Sequence, residues 1–378
     1  RYVYGLTATP IRKDGHQSII FMQCGPIRFS AATVCLLTHQ NFSRYLIPRF
    51  TSYKSLTDSS ESISSLYQSL AEDGVRNRLI VDDVCKSVEA GRTPIILTNR
   101  KQHVLLLSDM LQKQTNNVIT LLGTATTKEK ENVLLRLRSI SPEESLVIVA
   151  TGQYVGEGFD YPRLDTLFLA LPISWKGLLA QYAGRLHRDY EGKQDVRIYD
   201  YIDIHHSVCD SMYRKRLKGY ASLGYKAISL SSPTLFDNLP NLELSAGEGQ
   251  IFNGNIFLAP LCKDLSAAKR SIVISSPKLY RIQQNKLTHI FKDILINGID
   301  VIVFSQQENA EVDYLRSLGV TVNISKILSY CSAVIDKSTV WYGSINLLGF
   351  VKEEDNIIRL TDTSLASELI ETLISSAL

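Results

Sequence analysis

The sequence predicts an α/β protein built as two sheet-and-helix domains of unequal size, and three observations carry that expectation. From about residue 76 to 201, and again after 250, short continuous apolar runs alternate with amphipathic stretches. Such runs suit strands covered on both faces, as in a parallel sheet flanked by helices. The 378 residues exceed what one core ordinarily holds. Between the two alternating blocks, residues 229–249 carry Pro233, Pro240, Gly247 and Gly249 with few long apolar runs, and read as a linker.

Residues 1–14 predict a strand and a turn through Gly5, Thr7, Ala8, Thr9 and Pro10, the end of a first domain placed at 1–30. Residues 31–73 are irregular and Ser/Thr-rich between Thr57 and Ser65, which reads as linker. The main domain is placed at 74–228. Leu79, Val81, Val84 and Val88 give 76–89 helical periodicity, Gly91 ends it, and 94–97 is a short buried strand. A helix over 100–113, a strand over 118–122, a helix over 127–139 and an apolar strand over 145–150 follow. The pattern continues with a strand over 164–171, a helix over 178–188 and a strand over 196–201. The second domain, 250–378, predicts helices at 261–269, 284–297, 309–318 and 364–377. Its strands are expected at 271–275, 300–304, 320–324, 331–335, 339–342 and 356–360, so strand is richer in the later half. Gly319 suits the left-handed position that closes the third of these helices.

A net charge of +3 is nearly neutral, so nucleic-acid affinity has to come from a local basic groove. The six cysteines lie far apart without metal-ligand spacing and read as core thiols. No apolar run reaches the roughly 18 residues of a membrane span, which makes cytoplasm the expected location. A strand pattern beginning at once after Arg1 suggests a chain cut in mid-domain.

The chemistry concentrates in the helix expected over 178–188. Gln181, Arg185 and Arg188 are spaced i, i+4, i+7 and so fall on one helical face, beside Gly184. A core face at that spacing would be apolar. A solvated, salt-bridged face is the plain alternative; the functional one is a pair of guanidinium forks reaching the γ-phosphate of a nucleotide across a cleft. Upstream, the strand ending at Thr151 runs into Gly152, Gly156, Gly158 and Asp160. A glycine-rich loop at the carboxyl end of a central parallel strand is where open α/β sheets bind ligands.

Together these residues resemble motifs V and VI of superfamily 2 helicases. Gly5 to Pro10 resembles motif III, Ile95 to Arg100 motif IV, and Leu122 to Ala125 the auxiliary nucleic-acid motif after it. The likeness covers residues 1–205 and is nearest to the DEAD/DEAH-box-like type I/III restriction-subunit and repair-helicase group. It implies a RecA-like parallel-sheet helicase C-terminal lobe in an ATP-dependent DNA helicase or translocase, with RNA as the other track. By the same likeness Thr7 and Thr9 link ATP state to nucleic-acid grip, as do Gly158 and Asp160. Thr98, Asn99, Arg100, Thr124 and Thr151 meet the sugar-phosphate backbone. Arg185 and Arg188 meet the γ-phosphate, and Gln181 orients them or the attacking water. The family's phosphate loop and Mg²⁺-binding acidic box should precede motif III, so ATP and Mg²⁺ are expected to be held mainly by a first lobe in cis. These residues alone are expected to be nearly inactive as an ATPase.

Farther on, Ser329, Cys331 and Asp336, followed by Gly343, Ser344 and Asn346, resemble the H-x-K-x(4)-D and G-S-x-N pattern of the phospholipase D superfamily. The resemblance implies a smaller phospholipase D-like α/β domain. Serine and cysteine stand where the imidazole nucleophile and the ammonium belong, so a degenerate scaffold is expected rather than a nuclease. Pairing across a homodimer follows from the family likeness alone. A restriction or defence nuclease component, or a non-catalytic nucleic-acid-binding or dimerisation module, are the competing readings. Asp203, His205, His206 and Cys209 lack zinc spacing. The basic run from Arg214 to Lys218 reads as a solvated helix face, with phosphate contact as the alternative.

Overall fold

Parallel strands cannot be joined by tight turns, so each apolar run needs a long crossover before the next. The amphipathic stretches supply it. The structure is a computed structural model that describes residues 5, 17–29, 42–54, 62–123, 127–156, 159–173, 176–229, 250–326 and 328–377. Thr7, Thr9, Thr124 and Gly158, and the linker over 230–249, lie outside the described residues.

Among the described residues a short helix, α1 (Gln17–Cys24), comes first. The first sheet holds β1 (Ser43–Phe50), β2 (Pro94–Thr98), β3 (Val118–Leu121), β4 (Val147–Thr151), β5 (Thr166–Leu169), β6 (Asp195–Ile202) and β7 (Lys226–Ala227). Their order is β3-β4-β2-β5-β6-β1-β7 and every pairing is parallel. The accompanying helices are α2 (Ile63–Glu72), α3 (Gly74–Glu89), α4 (Lys101–Gln112), α5 (Thr127–Ser139), the short α6 (Gly152–Gly156), α7 (Lys176–Leu186) and α8 (Ser207–Ser222). Successive strand residues point to opposite faces. Ile95, Leu97, Ile148 and Ile198 therefore pack with Leu179 and Leu186 of α7 and Leu217 of α8. Ile96, Val149 and Phe168 pack on the other side with Ile80 and Val84 of α3 and Val104 and Leu107 of α4. This is a parallel sheet covered by helices on both faces.

The second sheet holds β8 (Ile251–Asn253), β9 (Ser271–Ser275), β10 (Asp300–Ser305), β11 (Thr321–Ile324), β12 (Cys331–Ile335), β13 (Thr339–Gly343) and β14 (Asn356–Thr361). Its order is β11-β10-β9-β12-β13-β14-β8. β11, β10 and β9 run parallel, and each later pairing is antiparallel. Helices α9 (Leu258–Ser266), α10 (Lys286–Ile296), α11 (Ala310–Ser317) and α12 (Thr363–Ala377) belong to this unit.

The two sheets share one apolar seam. A single core runs from Leu46 and Ile198 through Tyr213 and Leu217 to Val334, Val340 and Ile358, and on to Leu365 and Leu369 of α12. Phe50 meets Tyr342 edge to face at 5.3 Å. Tyr342 donates its hydroxyl hydrogen bond to Asp210 of α8, and Arg214 pairs with the same carboxylate at 2.8 Å. Ser229 donates to Asp362 at 2.7 Å.

Three expectations need correction. First, the linker placed at 31–73 contains β1, a full strand between β6 and β7, and the helix α2. Arg44, Arg49 and Pro48 hide the strand pattern. Pro48 is tolerated because β7 pairs only with Tyr45 and Leu46, which leaves one side of β1 open at the proline. Second, the basic run of α8 is no solvated face. Arg216 is 1% exposed and locked to Asp200, and only Lys215 and Lys218 are exposed in that run. Third, the helix expected to carry Arg188 ends at Leu186, for a reason found in the site.

Candidate nucleotide and nucleic-acid face

In a parallel sheet all strands deliver their carboxyl ends to one edge, and the register sets which residues meet there. Thr98 at the end of β2 stands opposite Thr151 at the end of β4, and Leu97 opposite Leu169 of β5. Beyond that edge a cleft of about 340 Å³ is lined by Thr98, Asn99, Gly152, Tyr67, Tyr182 and Pro172, among others.

The strand-end residues divide into buried and exposed. Thr98 is 4% exposed, and its hydroxyl lies 3.0 Å from His103 Nδ1. His103 Nε2 lies 2.9 Å from Asn77 Oδ1, so Thr98, His103 and Asn77 form a buried relay from β2 to α3. The Thr151 hydroxyl accepts from the Gly123 N–H at 2.9 Å and so ties the loop after β3 to β4. Arg100 donates to the Ser64 carbonyl at 2.6 Å and to its hydroxyl at 2.7 Å, which anchors the N-terminal turn of α2. Asn99 is exposed at the cleft mouth. Of the four described strand-end residues, Asn99 presents its side chain outward while the others shape the edge.

α7 is seated by a glycine. A Cβ on Gly152 would stand 1.9 Å from Tyr182 Oη, so only a bare backbone lets α7 approach the end of β4 this closely. Gln181 and Arg185 follow on that helix, both half-buried. Arg185 Nε is buried with no hydrogen-bond partner among the described residues. Arg188 lies past the helix end, 53% exposed, and pairs with Asp160 at 3.3 Å. The residues of the two resembled motifs therefore touch directly.

The helix stops where it does because of Lys193, which the sequence did not single out. Its ammonium donates to the carbonyls of Pro162 (2.7 Å), Leu164 (2.8 Å), Leu186 (3.0 Å) and Arg188 (2.7 Å). It thereby caps the last turn of α7 and binds that turn to the segment following Asp160. Burial pulls its pKa down to about 8, against the nearby Asp165 and Asp189 carboxylates.

His187, next to Arg188, lies 2.9 Å from the Tyr225 hydroxyl and stacks on its ring. Burial, with Arg44 and Lys193 beside it, lowers its pKa to about 3. Burial and Arg76 lower His103 to about 3 as well. Both stay neutral in the fold while an unfolded imidazole takes up a proton near pH 6.5. The stability they contribute is complete above that value and is lost as pH falls through it toward 3. Lowering the pH from about 7 to about 5.5 should therefore cost roughly 2–3 kcal/mol, read as a fall in the urea midpoint at constant slope. An unchanged midpoint over that interval would contradict the two neutral histidines.

In the second sheet, Asp336 turns the β12–β13 hairpin at φ 51° and accepts from the N–H groups of Lys269, Arg270 and Ser271. Burial raises its pKa, but those three backbone donors outweigh it and hold the carboxyl below the ordinary value. Ser344 exchanges hydrogen bonds with the Asn356 backbone. Asn346 accepts from Ser276 and donates to the Lys278 carbonyl at 2.7 Å. Cys331 is buried, and burial pushes its thiol up to about 12. Ser329 is half-buried at the opposite end of β12 from Asp336. Among the described residues no three His, Cys, Asp or Glu side chains are grouped to hold a metal, and His205 instead lies 3.7 Å from Glu368. No helix among the described residues is long and apolar enough to cross a membrane.

No family model matches the chain. It is 26% identical over 210 residues to the transcript termination protein A18 of Fowlpox virus, covering 54% of this chain and 44% of that protein. It is 28% identical over 235 residues to "Putative helicase 161L" of Invertebrate iridescent virus 6, covering 59% of this chain and 50% of that protein. The chain thus spans half or less of these curated relatives. Among solved structures, UvsW of T4 aligns over 49% of this chain and 41% of its own, at 16% identity and a TM-score of 0.41. The sequence is therefore similar to viral proteins named for transcript termination and for helicase action.

Proposed function

We propose that residues 43–229 form the second RecA-like lobe of an ATP-dependent nucleic-acid helicase or translocase of the superfamily 2 type. The observation that carries the reading is the direct contact of Arg188 with Asp160, which joins the end of α7, the helix carrying Arg185, to the glycine-rich segment that follows β4. Guanidinium groups that complete a phosphate site across a cleft stabilise charge developing on the transferred phosphoryl group. In this reading ATP and Mg²⁺ are held chiefly by a first lobe, Arg185 supplies the finger, and Arg188 passes nucleotide state to Asp160. Gln181 orients the reacting groups. Asn99 meets the nucleic-acid backbone, while Thr98, Arg100 and Thr151 hold the edge that presents it. The viral relatives favour a motor acting on transcription complexes over a restriction subunit.

The second unit is proposed to be a phospholipase D-like scaffold without cleavage chemistry. Asp336, Ser344 and Asn346 are engaged in backbone and loop contacts, and Ser329 and Cys331 supply neither an imidazole nor a cation. The test is ATP turnover by the protein carrying both lobes, with and without single-stranded DNA or RNA. Stimulation by either strand is the expected result; absence of nucleic-acid-dependent turnover would sink the proposal.

A further inference from the structure

The second unit carries a surface that its degenerate motif does not explain. Between Ser276 and Lys292 the chain has four basic residues, Lys278, Arg281, Lys286 and Lys292, and no Asp or Glu, in a protein whose whole net charge is only +3. Within this stretch Lys278, Tyr280, Arg281 and Lys286 are exposed. Tyr280 is 48% exposed and Phe350, from the loop after Asn346, is 67% exposed. Their rings lie 6.5 Å apart, nearly perpendicular. The Arg281 guanidinium stands 5.1 Å from the centre of the Tyr280 ring, on a backbone held in the left-handed region at φ 48°. Left-handed backbone in a non-glycine residue is strained, and such strain clusters at functional surfaces.

The rim is built rather than loose. The Tyr280 N–H donates to the Leu348 carbonyl at 3.0 Å, and Asn346 joins the same two loops through the Lys278 carbonyl. The acidic residues beside Phe350 are turned to other partners: Glu353 to Asn255, Glu354 to Lys218, and Asp355 to the Lys352 N–H. Two exposed aromatic rings interleaved with cations suit unpaired bases on a phosphate backbone, because every base offers a π-face and every phosphate a charge.

We propose that this rim is a binding site for single-stranded nucleic acid, with Tyr280 and Phe350 stacking on bases and Lys278, Arg281 and Lys286 meeting phosphates. It lies outside the motor face and does not depend on ATP chemistry. The test is fluorescence anisotropy of the whole chain, without nucleotide, on labelled oligo-dT and oligo-rU across a salt series. Tyr280→Ser with Phe350→Ser is expected to weaken binding at least tenfold, on the order of one lost stack. Lys278→Ala with Arg281→Ala should reduce the magnitude of the salt slope by about one to one and a half. All four residues are exposed, so circular dichroism and the thermal midpoint should match the parent. Unchanged affinity and slope in both double variants would overturn the site, as would failure of the parent chain to bind either oligonucleotide. A dimer that the aromatic variants abolish, with nucleic-acid affinity intact, would overturn it in favour of a second copy as occupant. Asn99→Ala, measured in parallel, reads the motor face separately, so failure of one surface is distinguishable from failure of the other.

Discussion

If residues 43–229 are the proposed motor lobe, Arg185→Ala in the protein carrying both lobes is expected to slow nucleic-acid-stimulated ATP turnover by about 10³-fold or more, the scale of a finger that acts only in the transition state. The expectation rests on a guanidinium whose Nε has no partner among the described residues. Arg185→Lys should recover little, because an ammonium cannot reproduce a planar fork. Arg188 is exposed and already paired with Asp160, so Arg188→Ala should cost less, roughly 10–100-fold, and Asp160→Asn should resemble it. Single-turnover hydrolysis with saturating ATP separates these effects from binding. Nucleic-acid affinity without nucleotide should be nearly unchanged in Arg185→Ala. A loss of turnover smaller than about fivefold in that variant would remove Arg185 from the reaction.

Arg216→Met lowers the unfolding free energy by about 3–5 kcal/mol, because it strands a carboxylate in the core. Asp200 is fully buried and receives Arg216 at 2.7 and 2.8 Å, with the Tyr220 hydroxyl at 2.8 Å. The same guanidinium donates to the Ile173 carbonyl at 2.7 Å, next to the cleft. Burial alone would lower the arginine pKa, and the Asp200 carboxylate outweighs it, so the guanidinium stays charged. Against a total of about 5–15 kcal/mol, the loss threatens folding outright. Urea unfolding measures it, and Asp200→Asn with Arg216→Met should recover part of the loss, since the double change leaves no unpaired charge. A single-variant loss below about 1 kcal/mol would show that the pair is not isolated from water.

The strands β2, β4 and β5 were legible because a doubly covered parallel strand is a short continuous apolar run, here too short for a buried helix. β1 was not, because Arg44, Pro48 and Arg49 interrupt it and its partner β6 lies about 150 residues away. Gln181, Arg185 and Arg188 could be picked out by spacing, but spacing assumes the helix continues. Its end is set by Lys193, whose four carbonyl partners come from two separate segments and leave no local pattern. The family likeness assigns Thr98 and Thr151 to the sugar-phosphate backbone; that their hydroxyls also bond within the protein depends on His103 and Gly123 arriving from other elements. The polarity of Arg216 suggested water, and only the fold reveals Asp200 beneath it.

The apolar seam through Tyr213, Tyr342 and Leu365 bears on how many melting units the chain contains. A boundary in sequence at 229–249 invites separate production of the two halves. Either half alone would expose the large rings of that seam, and the buried Asp210 would lose its Tyr342 donor. The two sheets should therefore melt in a single transition. A displacement of the first sheet would carry the second with it, because the shared core leaves no hinge between them among the described residues.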